Sequence, residues 1–386
     1  MTEPVDNVVD GAGRSGAAVT RSSRDPQELR RRIGEWLVQR TDLGEGVEIG
    51  PLAGTSATGM SSDTLLFDAT YRDRDGTIRT DPLVARVAPS PEDIPVFPHY
   101  DLTCQFEVLR HVGSHSDVPV PTVRWNEPDA SVLGAPFFVM NRVEGDVPPD
   151  VMPYTFGDNW LHDAEPGQQR LLQDRTVEVL ARLHELDADH PALTRLRFDE
   201  PGSTDIDRHV AHTRDWYDFA RRSGMRSRLV EAAFDRLEEH PPEGGATTLS
   251  WGDARIGNVM FRDFAPVAVL DWEMACLGPR ELDLAWLIYS HMVFEEIAHL
   301  FDLDGMPDFL RPGDVVDHYE RLTGHTCGDL DPYLTLAAIK FGIVFLRTGA
   351  RQAHFGEISL PDDHDELLHN RLGLAEMLSS GTWRIT

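Results

Sequence analysis

The chain has 386 residues, 41% of them hydrophobic, and carries 65 acidic against 36 basic side chains for a net charge of −29. That length predicts two lobes or domains rather than one small core, and that charge excludes nucleic acid, which needs a basic surface, while suiting a solvated acidic exterior or a cationic substrate. Lys340 is the only lysine, so no Gly-x-x-x-x-Gly-Lys-Ser/Thr phosphate loop exists and that class of NTPase is excluded.

Residues 1–22 are rich in Gly, Ala and Ser without hydrophobic periodicity, and predict a disordered tail. The tail has acidic residues and no apolar core, so it does not read as a signal peptide, and a cytoplasmic location is expected. A helix is predicted through PQELRRRIGEWLVQR, capped by Ser23 or Asp25 with Pro26 at its first position. Strands at 47–52 and 64–71 flank the small-residue turn GTSATGMSS, whose amides and hydroxyls, including those of Thr55 and Ser56, are free to cover phosphates. A strand at 83–87, a helix at 101–112, an extended VPVPTVRW and an apolar strand at 136–143 follow. Beyond Gly145 the pattern turns helical, with helices at 168–186, 205–222, 226–239, in GPRELDLAWLIYSHMVFEEIAHLF, and at 315–322, 332–352 and 364–378. The longest apolar stretch, 284–294, is interrupted by Ser290 and His291 and falls far short of the ~20 residues that span a bilayer, so no membrane role is expected. Cys104, Cys276 and Cys327 are dispersed and odd in number, as in a reduced cytosolic protein without a disulfide framework or zinc site.

The most informative segment is LSWGDARIGNVMFRDFAPVAVLDWEMACLGPRELDLAWL, at 249–287. It sets Asp253 in a polar turn, Asn258 five residues later and Asp271 at the end of the apolar run VAVL. Magnesium prefers oxygen ligands and usually takes one or two carboxylates plus phosphate oxygens and water. Asn258 and Asp271 therefore suit a magnesium–nucleotide site, and Asp253 is left to receive a hydroxyl proton, the division of labour found in protein-kinase-type phosphoryl transfer.

This segment resembles the catalytic core of the aminoglycoside phosphotransferase family, the small-molecule branch of the kinase-like fold. It is most similar to the subgroup with Asp-Trp-Glu at the metal Asp, related to kinase-like domains fused to acyl-CoA dehydrogenases. The resemblance implies an α+β, protein-kinase-like bilobal fold with a β-rich N-lobe (23–143) and a mainly helical C-lobe (144–386). It implies phosphoryl transfer from ATP, with GTP as an alternative, to a hydroxyl of a small molecule such as an aminoglycoside-like antibiotic or a metabolite. Asp253 matches the catalytic Asp, and Asn258 and Asp271 match the Mg2+ ligands. Where the family usually has His-Gly-Asp this chain has Trp251-Gly252-Asp253, which bears on the packing of the loop.

Further assignments follow from the kinase-like fold. The strand Lys that holds nucleotide phosphates is replaced by Arg86 in LVARV, which keeps the charge and adds bidentate geometry; its expected helix partner is Glu107. Met140, Asn141 and Val143 fall in the hinge and are expected to meet the base of the nucleotide. Arg255 matches the place of a phosphate-contacting Lys, with a loop-bracing ion pair as the other reading. Asp283 is expected to anchor the catalytic loop, and His184 to be structural. The insertion 146–163 carries Tyr154, Phe156 and Trp160, either as an acceptor-site lid or as aromatics covering the helix beneath. A nucleotide-binding pseudokinase with a sensing or scaffolding role is the alternative, suggested by Trp251 and Arg86.

Overall fold

The computed structural model describes residues 24–40, 43–54, 62–150 and 152–383. The predicted tail and Thr55 and Ser56, the residues expected to cover phosphates, lie outside these.

The amino-terminal part is built on a sheet. Helix α1 (Pro26–Val38) starts at Asp25, whose carboxylate accepts the Gln27 amide. Strands β1 (Glu45–Ile49), β2 (Ala53–Gly54), β3 (Asp63–Arg72), β4 (Ile78–Val87), β5 (Val123–Glu127) and β6 (Phe137–Asn141) form one antiparallel sheet in the order β1-β3-β4-β6-β5, with β2 added to β3. Helix α2 (Leu102–His115) lies between β4 and β5 in sequence and packs on the sheet, Phe106 meeting Phe138 edge-on at 6.2 Å. On the other side Trp36 of α1 packs against Phe137 and donates its indole N–H to Glu127 at 2.7 Å.

The carboxy-terminal part is helical: α3 (Pro166–Leu183), α4 (Asp205–Arg222), α5 (Arg228–Glu239), α6 (Glu281–Leu300), α7 (Pro312–Thr323), α8 (Asp331–His354) and α9 (Arg371–Ser380). Two short antiparallel pairs sit among them, β7 (Thr247–Ser250) with β10 (Cys276–Pro279), and β8 (Val259–Arg262) with β9 (Ala265–Val269). The β8–β9 hairpin turns at Asp263 and Phe264, both with positive φ (50° and 61°), the backbone of a turn that matches the right-handed strand twist. Apolar residues on every side of α6 and most of α8 explain why these two helices form the centre of the core. By length and composition α8 alone among the described helices qualifies as a membrane span, but 78% of its apolar window is buried inside the protein.

The two parts meet through specific bonds. Val269 of β9 donates its amide to the Pro119 carbonyl (2.8 Å), Trp216 donates to the Val96 carbonyl (2.9 Å), and Arg347 donates to the Pro95 carbonyl (2.6 Å). These contacts fix the sheet over the β8–β9 hairpin and leave a cleft between them.

Candidate active site

The loop bearing Asp253 is held from beneath by one buried carboxylate. Asp283, in the first turn of α6, is fully buried; it accepts the Ser250 hydroxyl and the amides of Trp251 and Gly252, each at 2.8 Å. His184, at the end of α3, stands 3.1 Å from it and 2.7 Å from the Tyr319 hydroxyl, so the His reads as support for the Asp. Burial alone would raise the Asp283 pKa, but His184, the Gly252 amide and Ser250 outweigh it and hold the carboxyl below its ordinary range. The sequence expectation for Asp283 and His184 thus matches the geometry.

Two further features shape this loop. Gly252 has φ 85°, and a Cβ there would fall 2.0 Å from the Met274 carbonyl oxygen, so only glycine fits. Trp251, fully buried, donates its indole N–H to the Leu270 carbonyl at 2.8 Å. Trp251 therefore has a structural role: its ring fills the space under the loop and pins the residue preceding Asp271.

Asp253 is surrounded by donors. Its Oδ1 accepts the Trp286 indole N–H (2.7 Å) and the Arg255 Nε–H (3.1 Å), while its Oδ2 accepts the Asn258 amide (2.6 Å). Trp286 comes from α6, stacks on Phe341 at 4.5 Å, and carries the Lys340 ammonium 4.6 Å above its ring. Lys340 is thus buried within α8, and burial pushes its pKa down. Arg255 forms an ion pair with Asp150 as well as with Asp253, and these carboxylates offset its burial and keep it charged. Gly257 makes room for this arrangement, since a Cβ there would lie 2.2 Å from the Asp150 carboxylate. Arg255 thus bridges the loop to the insertion through two carboxylates.

Facing the loop is an open cleft that gathers most of the predicted nucleotide residues: Arg86, Met140, Asn141, Val143, Asn258 and Asp271 all line it. The amides of Asn141 and Arg142 are taken by the Thr122 and Pro82 carbonyls at 2.9 Å each, whereas the Val143 amide has no acceptor among the described residues. Val84 and Leu66 above, with Met260 and Leu270 below, give apolar faces for a flat ring.

Arg86 corrects one expectation. Its guanidinium donates to Asp271 Oδ1 (2.5 Å) and to the Thr64 hydroxyl (2.8 Å), not to Glu107. Glu107 is paired with Arg110 one turn along α2 and is absent from the cleft, where α2 instead presents Gln105 and Leu109. The reason is helical phase: Gln105 and Leu109 share a face, and a residue two positions from Gln105 lies roughly 200° around the helix. Burial would depress the Arg86 pKa, but Asp271 and Glu273 overcome it and raise it. Asp271 itself has φ 57°, a left-handed conformation rare outside glycine and tolerated best by Asp and Asn.

The insertion aromatics turn inward. Tyr154 is buried with its hydroxyl 3.0 Å from His291 Nδ1, Phe156 is buried beside Phe301, and Trp160 packs on Phe261 and Phe264. They cover the helical part rather than line the cleft; the insertion contributes Val147 to the cleft wall and Asp150 to the ion pair with Arg255, and sequence reasoning missed both, as it missed Trp286. The Asp150 and Trp286 contacts are long-range, without a local sequence signal.

The donor set fits a hard cation. With its amide nitrogen bonded to Asp253, Asn258 directs its carbonyl oxygen elsewhere, and Asp271 keeps Oδ2 beyond the Arg86 bond. Two oxygens on one cleft wall, one of them charged, are what magnesium accepts when phosphate and water complete its shell.

A profile described as the phosphotransferase enzyme family matches residues 65–306, well over half of the chain. The chain belongs to that family. Solved structures share this fold: a putative aminoglycoside phosphotransferase from Ralstonia eutropha superposes with a TM-score of 0.61 at 22% identity, covering 91% of this chain and 97% of that one. A thermostable mutant of aminoglycoside phosphotransferase APH(4)-Ia superposes at 0.53 with 15% identity, covering 90% and 99%. In sequence the chain is similar to a probable acyl-CoA dehydrogenase, IBR3, of Arabidopsis thaliana, 27% identical over 53% of this chain and 25% of that protein. It is also similar to acyl-CoA dehydrogenase family member 10 of Mus musculus, 30% identical over 47% and 16%. The chain thus spans a quarter or less of the length of these relatives.

Proposed function

We propose that the chain transfers the γ-phosphate of ATP, with GTP as the alternative donor, to a hydroxyl of a small molecule, using Asp253 as base and a Mg2+ held by Asn258 and Asp271. The observation that carries this reading is the convergence of Arg86, Asn258, Asp271 and the hinge on one cleft, with Asp253 bonded directly to Asn258. The lobes divide at about residue 143, where the sheet gives way to helices.

When bound, the metal supplies charge neutralisation at the phosphates. The chain's own residues do the rest. Leu66, Val84, Met260 and Leu270 sandwich the base, and the Val143 amide is the hinge donor to its edge. Arg86 gives the phosphates a fixed cation from the sheet side, in the place of the usual Lys. Asp253 accepts the proton of the acceptor hydroxyl and aims that oxygen in line with the phosphorus. Trp286 and Arg255 fix the Asp253 carboxylate by two bonds to Oδ1, so its rotation costs no reorganisation during transfer. Such general-base assistance is worth roughly 10²–10⁴-fold, less for a loose transition state.

The test is a mass-spectrometric screen of hydroxyl-bearing acceptors with Mg2+ and ATP or GTP. A product heavier by one phosphoryl group, formed at the expense of nucleotide, supports the reading. Nucleotide binding without transfer to any acceptor would favour the pseudokinase alternative.

A further inference from the structure

Away from the cleft, three histidines converge at the far end of α2. His111 and His115 are separated by one turn and share a helix face, and His190 meets them from the segment after α3. Ring centroids lie 4.3 Å apart for His111 and His115, 4.2 Å for His111 and His190, and 5.3 Å for His115 and His190. One ring nitrogen from each lies within 4.8 Å of the other two.

Hydrogen bonding singles out His111. The residue is 5% exposed, yet neither of its ring nitrogens has a hydrogen-bond partner. A buried polar group without a partner costs about 1–3 kcal/mol, so native proteins rarely leave one without a reason. His115 donates Nδ1–H to the His111 carbonyl at 2.9 Å, which leaves the lone pair on its Nε2. That is the outer bond that orients many metal-bound imidazoles. His190 accepts the Ala192 amide at Nδ1 over a long 3.2 Å, a cap weak enough to be exchanged for a stronger bond.

From this arrangement we propose that His111, His115 and His190 form a binding site for a zinc-type divalent transition metal, separate from the nucleotide site. Three imidazoles without a carboxylate among them select zinc, nickel or copper over magnesium and calcium. A tetrahedral zinc with Zn–N bonds near 2.0–2.1 Å needs nitrogens about 3.4 Å apart. The exposed His115 and the half-buried His190 close that gap by side-chain rotation, with water as fourth ligand. The ion ties α2, which carries Gln105 into the cleft, to the segment following α3, and so couples metal binding to the seating of that helix against the carboxy-terminal part.

The probe is Zn2+ alone, titrated calorimetrically into chelator-stripped full-length chain with excess Mg2+ and no nucleotide; Co2+ absorption reports the geometry. One ion per chain is expected, with a dissociation constant tighter than about 10 µM and a Tm that rises with free Zn2+ by mass action. Even an outer partner of a metal ligand is worth about 10–100-fold in affinity, so His115→Ala and His190→Gln should each weaken binding at least tenfold. His115 is exposed, so its variant should fold normally. Glu281, His325 and Cys327 form the other such group among the described residues, so Cys327→Ser must leave the affinity unchanged. Binding weaker than 10 µM, binding indifferent to both histidine changes, or binding lost in Cys327→Ser overturns the proposal.

Discussion

Arg86 and Asp271 are 185 residues apart and are joined across the cleft by a 2.5 Å ion pair. The pair links β4 to Asp271, two residues past the end of β9, so the proposed phosphate-binding cation and a proposed metal ligand hold one another in place. Both side chains are 11% exposed, which strengthens the interaction and makes loss of either partner costly.

Arg86→Ala is expected to weaken Mg-ATP binding about tenfold or more, since a charge-assisted bond of this kind is worth roughly 1.5–3 kcal/mol. Arg86→Lys should retain more affinity than Arg86→Ala while losing the second bond to Thr64. Calorimetry on the three proteins checks this, and unchanged affinity in Arg86→Ala would remove Arg86 from the nucleotide site.

Asp271→Asn separates the metal role from the backbone role, because Asn tolerates the left-handed φ as Asp does. Its nucleotide-free Tm should fall by only a few degrees, whereas its Mg-ATP affinity should drop at least tenfold and partly recover as Mg2+ is raised. An affinity insensitive to the substitution and to the Mg2+ concentration would make Asp271 purely structural.

Gly252→Ala should be among the most damaging single changes in the chain. The added methyl collides with the Met274 carbonyl at 2.0 Å and the backbone is held at φ 85°. A cost of several kcal/mol is expected in denaturant unfolding, well above the ~1 kcal/mol of an ordinary substitution.

The contrast between Asp253 and Glu107 shows where sequence was legible. Asp253, Asn258 and Asp271 lie on one loop and hairpin, so local spacing fixes their mutual geometry and the triad could be read directly. Most strands and helices were legible for the same reason, from periodicities of two and 3.6, but the helix expected at 364–378 is a 3-10 turn (His364–Leu367) followed by a separate α9, and the strand expected at 83–87 starts already at Ile78. Glu107 depended on the phase of α2 relative to the sheet, which local sequence does not reveal; the structure aims Gln105, not Glu107, at the cleft. Asp150 and Trp286 reach Arg255 and Asp253 across 105 and 33 residues, through contacts that only the assembled fold creates. The aromatics of the insertion were ambiguous because a lid and a packed cover have the same composition.

Acid should destabilise the chain through its buried histidines. Burial lowers the His291 pKa from 6.5 to about 4, and burial likewise holds His209 well below its ordinary range. Between those values the unfolded chain binds protons that the folded chain refuses, so stability falls as pH drops from about 6.5 towards 4 and then levels for His291. A shift of this size corresponds to roughly 3 kcal/mol. His291→Gln should flatten that limb of a Tm-against-pH curve; an unchanged slope would show that His291 titrates normally.

The most direct test of the whole account is single-turnover phosphoryl transfer by Asp253→Asn, using the acceptor that gives the highest wild-type rate. If Asp253 accepts the hydroxyl proton, the rate should fall by about two to four decades while Mg-ATP affinity stays within about tenfold of wild type. Transfer at a near-wild-type rate would contradict the assignment of Asp253 as base, and with it the proposed mechanism.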